Sequence, residues 1–404
     1  MSSLIAWILR AIPFGTIIMY GALGETLTEK SGNLNLGVPG IMYLGGFAGF
    51  ASAYYYEKLS ANPSAFVCVI LALLCALIAS ALGGLIYAFL TITLRANQNV
   101  TGLALTTFGM GVANFFGVFI LNGASYTAAP LAYKAFSAMI PVLSGLGVVG
   151  KVLFSYGFLA YAAIVLAVVL HWFFPRPRAG LNLRAVGETP ATADAAGINV
   201  TLYKYVATCT GAAICGVGGL YYVLDYNQGI WATTGQIEAL GWLAVALVIF
   251  TTWKPLNAIW GAYLFGVLYW LYQFLPSLLG ITVASYMTDL IQMLPYVVTI
   301  VVLIVVSLRK KKENQPPEHV RTEPVSQTAP QQQRRPAGRR CMYISILPGE
   351  QVEVALTNNG VLEEYYLDML HQKKIKGADW HFTEGQRRRG TFPPARAHAR
   401  HRSR

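Results

Sequence analysis

The chain is organised as runs of apolar residues separated by short polar or glycine-rich breaks. Nine runs stand out, at 4–23, 37–56, 64–93, 99–121, 155–174, 203–224, 239–252, 256–275 and 289–308. A helix needs roughly 20 apolar residues to cross a hydrocarbon core about 30 Å thick. The pattern therefore predicts an all-α polytopic membrane protein with about nine (8–10) transmembrane helices, some of them discontinuous. The run at 64–93 is long enough to tilt or project, and the run at 239–252 is short enough to be a broken span.

The stretch GETLTEKSGNLNLGVPG, 24–40, interrupts the first two runs with Glu25, Glu29, Lys30, Asn33 and Asn35 among glycines and Pro39. Non-helical backbone cannot face lipid, because each unpaired N–H or C=O costs several kcal/mol, so at membrane depth it must be buried or line a cavity. Gly32, Gly37 and Gly40 permit unusual torsions and Pro39 removes a donor. Asn33 and Asn35 offer acceptors and donors suited to sugar hydroxyls. Two readings stay open here: a broken helix lining a solute cavity, or a surface loop leading into a packing helix with Gly45 and Gly49 in GxxxG spacing. A second Gly- and Pro-punctuated segment lies at 233–266. Interrupted segments in both halves of a chain point to a transporter's binding site.

Charge refines this picture. Residues 1–308 hold 11 Lys/Arg against 8 Asp/Glu, while 309–404 hold 19 against 10, so most of the formal +12 belongs to the tail. A nucleic-acid-binding reading based on the whole-chain charge is thereby excluded for the apolar body. The positive-inside bias makes the segment around Arg176, Arg178, Arg184 and Lys204 cytoplasmic, with Arg95, Lys254 and 309–312 on the same side. Lys58, Lys134 and Lys151 fall outside, which makes 122–154 the main external loop and 225–237 a smaller one. No cleaved signal peptide is expected, since residues 1–10 lack a basic leader region.

Beyond the body, 313–341 is Pro/Gln/Arg-rich and reads as a disordered linker. Residues 342–377 alternate like two strands around the turn NNG at 358–360. The end, 378–404, reads as a disordered Arg/His-rich tail. The tail is expected to engage anionic membrane lipid or RNA only non-specifically.

Catalytic signatures fail. GLGVVGKV at 145–152 approaches a P-loop but has Val152 where a magnesium-holding hydroxyl is required. His171 is the one histidine before residue 309, and the five cysteines form no CxxC pair. No catalytic residue and no metal-ligating set is expected, and the chain is not expected to be an enzyme.

Four stretches in order, GETLTEKSGNLNLGVPGIMYLGG, LRANQNVTGLALTTFGMGVANFFG, LRAVGETPATADAAGINVTLYKY and ALGWLAVALVIFTTWKPLNAIWGAYLFG, resemble the integral-membrane permease of ATP-binding cassette importers. The resemblance covers about 1–317, so that 1–312 reads as a transmembrane permease domain. It lies in the branched-chain amino acid/simple sugar permease superfamily, nucleoside and simple-sugar branch. One departure is Pro39, where the family's first motif usually carries Glu. Separately, 342–377 resembles the start of a ribonuclease E/G-type protein, too short to carry that activity.

The resemblance implies a permease subunit moving a nucleoside or simple sugar by alternating access across a bacterial or archaeal plasma (inner) membrane. Asn33, Asn35, Gly37, Asn97 and Thr101 are the expected substrate pathway. The segment 187–200, with Thr189 or Thr192 as cap and Gly197 as stop, resembles the family's coupling helix. Arg184, Glu188, Ala191, Asp194, Gly197 and Ile198 are expected to meet the ATPase. No cofactor is expected on this chain, ATP being used by separate ATPase subunits. A second permease, identical or related, and an extracytoplasmic solute-binding protein complete the expected partners. The alternatives are a branched-chain amino acid importer, a proton-coupled secondary transporter using Glu25, Glu29 or Asp289, and an RNA-processing scaffold built on the tail.

Overall fold

The computed structural model describes residues 2–122, 126–139, 147–232, 236–279, scattered positions within 290–304, and 341–347, 350–355 and 381–383. These fall in two units, Met1–Pro324 and Val325–Arg404. The first is helical: α1 (Ser2–Lys30), α2 (Val38–Leu59), α3 (Ala65–Ala88), α4 (Gln98–Leu121), α5 (Pro130–Phe136), α6 (Gly147–Phe154), α7 (Phe158–Phe173), α8 (Arg178–Glu188), α9 (Pro190–Ala195), α10 (Val200–Tyr221), α11 (Gln236–Phe250) and α12 (Pro255–Leu279). One π-helical turn each extends α3 and α10, at Phe89–Thr93 and Tyr222–Tyr226.

Eight of the nine apolar runs are helical, and the ninth, 289–308, lies mostly outside the described residues. Among the described residues four helices are long and apolar enough to cross a bilayer, or five if α7 and α8, bent by 77° at their junction, are taken as one span. The lower number has a physical reason. Helix α11 has 15 residues and α7 has 16, about 22–24 Å at 1.5 Å per residue, short of the hydrocarbon thickness.

Helix α10 packs on α1, α2 and α3; α2 also meets α3, α4 and α11; α1 also meets α11, α12 and α7. Between helices in lipid, association rests on close packing rather than on expelling water. Small residues allow it here. A Cβ on Gly45 of α2 would stand 2.6 Å from the Gly216 carbonyl oxygen of α10, and one on Gly24 of α1 would stand 2.9 Å from the Cys215 amide. The GxxxG reading of α2 is thus realised, while 31–37 before it is buried rather than a surface loop. On α3 and α4 the outer positions, among them Phe66, Leu74, Ile78, Phe115 and Phe119, are exposed.

Three expectations change. The polar stretch is not a break from residue 24, because 24–30 continue α1 and only 31–37 are non-helical. Thr26 and Thr28 return their hydroxyls to the carbonyls of Ala22 and Gly24, which absorbs their polarity within the helix. Val38, although the residue before a proline favours extended torsions, opens α2 with Gly37 as N-cap; in a first turn proline has no helical N–H bond to lose. The predicted external loops 122–154 and 225–237 meet through a two-residue ladder, β1 (Thr127–Ala128) with β2 (Ile230–Trp231), and the first also carries α5 and α6.

The second unit holds β3 (Cys341–Leu347), β4 (Glu350–Ala355) and β5 (His381–Thr383), ordered β4-β3-β5 and antiparallel. Leu347 pairs with Glu350, so β3 and β4 are consecutive antiparallel strands; the turn expected at 358–360 lies outside the described residues. The Pro-Gly dipeptide at 348–349 is itself a turn signal. Strand β5 falls within the segment read as a disordered tail. Three residues are too few for alternation to show in sequence, and pairing with Tyr343–Ser345 defines the strand.

The Gly45–Gly216 contact makes a test. Gly45→Val is expected to destabilise the purified chain by about 1–3 kcal/mol or more. Gly111→Val, where a Cβ meets nothing within 4 Å, is expected to leave it unchanged; thermal unfolding in detergent distinguishes them.

Candidate functional site

Helix α1 stops because Ser31 and Gly32 turn back on it. Their amides donate to the carbonyls of Thr28 and Glu29 at 3.0 and 2.9 Å, with Gly32 at φ +87° in the left-handed region glycine favours. The chain then leaves helical geometry, and side chains from other helices receive its polar groups. The Leu34 amide donates to Gln98 Oε1 of α4 at 2.6 Å, and the Leu34 carbonyl accepts from the Tyr87 hydroxyl of α3. The Asn35 amide donates to Glu25 Oε1 of α1 at 2.8 Å. The Leu36 carbonyl accepts from the Thr106 hydroxyl of α4 at 3.0 Å. Asn33 Nδ2 donates to the Thr208 hydroxyl of α10 at 3.1 Å, and Asn35 Oδ1 accepts the Gly37 amide at 2.9 Å.

The second break, between α11 and α12, spans 251–254. Thr252 and Trp253 sit at φ +52° and +55°, torsions that cost a β-branched or bulky residue energy and persist where surroundings enforce them. Those surroundings are visible: the Trp253 amide reaches the Val248 carbonyl, and its indole N–H donates to Glu29 Oε2 of α1. Glu25 and Glu29, one helical turn apart and both buried, thus tie the two interrupted segments to one helix. A further contact joins the helices beside the breaks, since Gly241 of α11 lies against Pro39 of α2 so closely that a Cβ there would stand 2.5 Å from the proline Cα.

A third segment reaches the same place. Gly187 of α8 packs on the Lys30 carbonyl and the Gly32 amide. Arg184, Glu188, Glu29 and Lys254 are the charged neighbours of Lys30. Helix α9 follows after Thr189, which holds the N-cap position without a side-chain cap bond. It ends as Gly197, at φ +81°, and Ile198 return their amides to the carbonyls of Asp194 and Ala193. Ala193 is buried, while Ala191, Asp194, Ala195, Ala196 and Gly197 are exposed.

Of the expected pathway residues, Asn33, Asn35 and Gly37 are buried in the first break, and Thr101 is nearly buried beside it on α4. Asn97 is exposed, its Oδ1 accepting the Val100 amide as N-cap of α4. Of the expected coupling residues, Arg184 and Glu188 end up on α8 and the others on or just after α9, all in one continuous surface segment. Sequence reasoning missed Gln98, Tyr87, Thr106, Thr208 and Trp253. Their signal was weak: single polar or amphipathic side chains inside or beside apolar runs. Asp289 lies outside the described residues. Among the described residues no group of three His, Cys, Asp or Glu converges as a metal site.

Comparison with known proteins gives a family match over residues 7–306, to the family described as branched-chain amino acid transport system / permease component. A putative glucose ABC transporter permease protein, TsgC13, of Haloferax volcanii is 33% identical over 253 residues, 63% of this chain and 72% of the relative. The nucleoside ABC transporter permease protein NupC of Lactococcus lactis subsp. cremoris is 30% identical over 292 residues, 72% and 88% of the two chains. The guanosine ABC transporter permease protein NupQ of Bacillus subtilis is 32% identical over 252 residues, 61% and 75%.

The Trp253–Glu29 bond yields a prediction. Trp253→Phe keeps a ring but leaves a buried carboxylate oxygen without its donor, a cost of about 1–3 kcal/mol. Trp7→Phe removes a half-buried indole bond to the Val267 carbonyl and is expected to cost less. Equal losses in thermal unfolding would show that the tie between α1 and the second break contributes nothing particular.

Proposed function

This chain belongs to the family of branched-chain amino acid transport system permease components, and we propose that it imports a nucleoside as one half of a permease pair. It is the permease subunit of an ATP-binding cassette importer for nucleosides or sugars and is not itself an enzyme; a partner ATPase uses the ATP. The apolar helices make it a multi-pass membrane protein.

The finer reading is ours. The observation that carries it is the position of α8 and α9: α9 presents an exposed face of small residues, and α8 rests through Gly187 on the first break at Lys30 and Gly32. A rigid body docked on Ala191, Asp194, Gly197 and Ile198, with Arg184 and Glu188 fixing register, would push directly on the segment that interrupts α1 and α2. That is how ATP binding on a partner would reach the solute path. We assign that path to the α4 entrance at exposed Asn97, with Asn33, Asn35, Gly37 and Thr101 shaping the wall behind it.

In this reading the eight helical runs and 289–308 make nine passes or partial passes in a bacterial or archaeal plasma membrane. A second permease covers one exposed apolar face and lipid the rest, and an extracytoplasmic binding protein meets the side of α5 and α6. The nucleoside choice is supported by the names of two of the relatives above. Glu25 and Glu29 each accept a hydrogen bond from one of the breaks, which supports a role as ties rather than as proton carriers.

ATP-dependent uptake of labelled guanosine in vesicles holding the chain with its permease, ATPase and binding-protein neighbours tests the solute. Unlabelled nucleoside is expected to block it, with ribose, glucose and leucine ineffective; block by a sugar would overturn the nucleoside choice. Asp194→Arg, on the exposed face, is expected to lower uptake about tenfold, corresponding to about 1.4 kcal/mol of docking energy. It is expected to reduce ATPase co-purification and leave the chain's own unfolding unchanged. Undiminished co-purification and uptake would remove α9 from the coupling surface.

A further inference from the structure

The seam between α2 and α4 is closed in two different ways along its length. Next to the first break the two backbones touch. A Cβ on Gly40 would stand 2.6 Å from the Thr106 Cα, and one on Gly109 would stand 2.6 Å from the Gly40 carbonyl carbon. Buried small residues continue along α4 at Ala113 and Gly117, each one turn further from the break. At Gly117 the nearest atoms belong to Trp231 instead of α2, and a Cβ there would stand 2.6 Å from the indole Nε1. The same indole meets Phe47 and Phe50 of α2, at ring-centroid distances of 5.1 and 6.0 Å. These contacts lie about 10–15 Å beyond the glycine crossing at 1.5 Å per residue. One side chain thus bridges α2 and α4 at that end, and it belongs to neither helix.

Trp231 comes from the connection between α10 and α11. It is fully buried, yet its indole N–H has no hydrogen-bond partner. A buried indole usually finds an acceptor, and a donor left unpaired away from water is costly. That cost disappears when the indole withdraws to water, so leaving the seam breaks no hydrogen bond of its side chain. What holds it there is indirect. Strand β2 pairs with β1 over two residues, and the Ala129 amide donates to the Gly229 carbonyl at 2.9 Å. These residues lead into α5, whose first turn is tied to α2. Glu57 Oε1 accepts the Ala132 amide at 2.7 Å, and Oε2 accepts the Leu131 amide at 3.2 Å. Pro130 and Lys134 leave α5 an exposed side.

We propose that Trp231 is the plug that closes the α2–α4 seam at the end away from the first break, and that α5, tied by Glu57, is the handle that seats it. This role rests on the solute path proposed above along α4. Alternating access then requires the indole to leave the seam when that end opens, and a partner that draws α5 off Glu57 withdraws it. Stacking on Phe47 and Phe50 favours return.

Ala113→Cys, between the glycine crossing and the plug, reports on this in the assembled importer with the native cysteines replaced by alanine. A charged maleimide added on the side opposite α8 and α9 is expected to label it slowly at rest and about tenfold faster during ATP turnover. Trp231→Ala, Gly117→Ala (whose Cβ displaces the indole) and Glu57→Ala (which frees α5 at a distance) are each expected to give the fast rate without ATP. Trp231→Phe keeps a ring and gives up no hydrogen bond, so the slow resting rate and the unfolding midpoint are expected to persist. A slow rate in Trp231→Ala and Gly117→Ala, or equal rates with and without ATP, would overturn the plug. A lowered midpoint in Trp231→Phe would show that the indole N–H is bonded and would overturn it too. Fast labelling in Trp231→Ala but not in Glu57→Ala would remove α5 as the handle. Labelling needs no solute, so ATP-dependent labelling without guanosine uptake would count against the nucleoside reading and for the plug.

Discussion

Everything in the helical unit turns on keeping seven non-helical residues, 31–37, paired inside a body otherwise built to lie in lipid. Hydrocarbon offers no donors or acceptors, so unpaired backbone there costs several kcal/mol per group. The protein meets this with side chains rather than with a sheet. Glu25 of α1, Tyr87 of α3, and Gln98 and Thr106 of α4 take the backbone groups, while Thr208 of α10 receives Asn33. Four helices are fixed relative to one another because each must present at least one polar atom to the same short stretch of chain, α4 presenting two. Close glycine crossings such as Gly45 on Gly216 then become a requirement, since a wider spacing would pull those atoms out of reach.

The two glutamates on α1 extend the same logic. A carboxylate in an apolar body must be paired, and the usual partner is a basic side chain. Here Glu25 takes the Asn35 amide and Glu29 the Trp253 indole, so both are spent on positioning polypeptide breaks. Each break is therefore held from α1, and the helices that border them, α11 and α2, touch through Gly241 and Pro39. The link between the two breaks runs through one turn of α1, from the Asn35 amide on Glu25 to the Trp253 indole on Glu29. Gly187 brings α8 to the same point, which places the surface segment and both interruptions in one mechanical unit.

Much of this was legible in the sequence, and the limits have physical causes. Helix-length apolar runs announce themselves, and the Gly/Asn/Pro content of 31–40 announces an interruption. The stop of the short helix at Gly197 follows from cap chemistry, while its start at Thr189 carries no side-chain cap bond. What sequence could not supply was partnership. Glu25 and Glu29 look like proton carriers or members of a salt bridge with Lys30 until the fold shows which donors they face. Gln98, Thr106 and Thr208 are unremarkable polar residues until their distances to the break are known. The helicity of 24–30 was hidden because polarity resembles a loop, and only threonine back-bonding and the close crossing at Gly24 explain why it stays helical. In the tail, β5 was invisible because three residues carry no period.

Pro39 shows how a local departure can be absorbed by its setting. The motif this chain resembles places Glu there, a residue whose charge would require a buried partner. Proline requires none. It lacks an N–H, but the second position of a helix has no helical acceptor for one, and its ring packs where Gly241 leaves room. The substitution therefore trades an electrostatic demand for a steric one. Gly241 becomes the residue on which Pro39 depends, since any side chain there would strike the ring. Helices α2 and α11 are then fitted to each other by shape at this point, and the first break keeps its geometry without a carboxylate at 39.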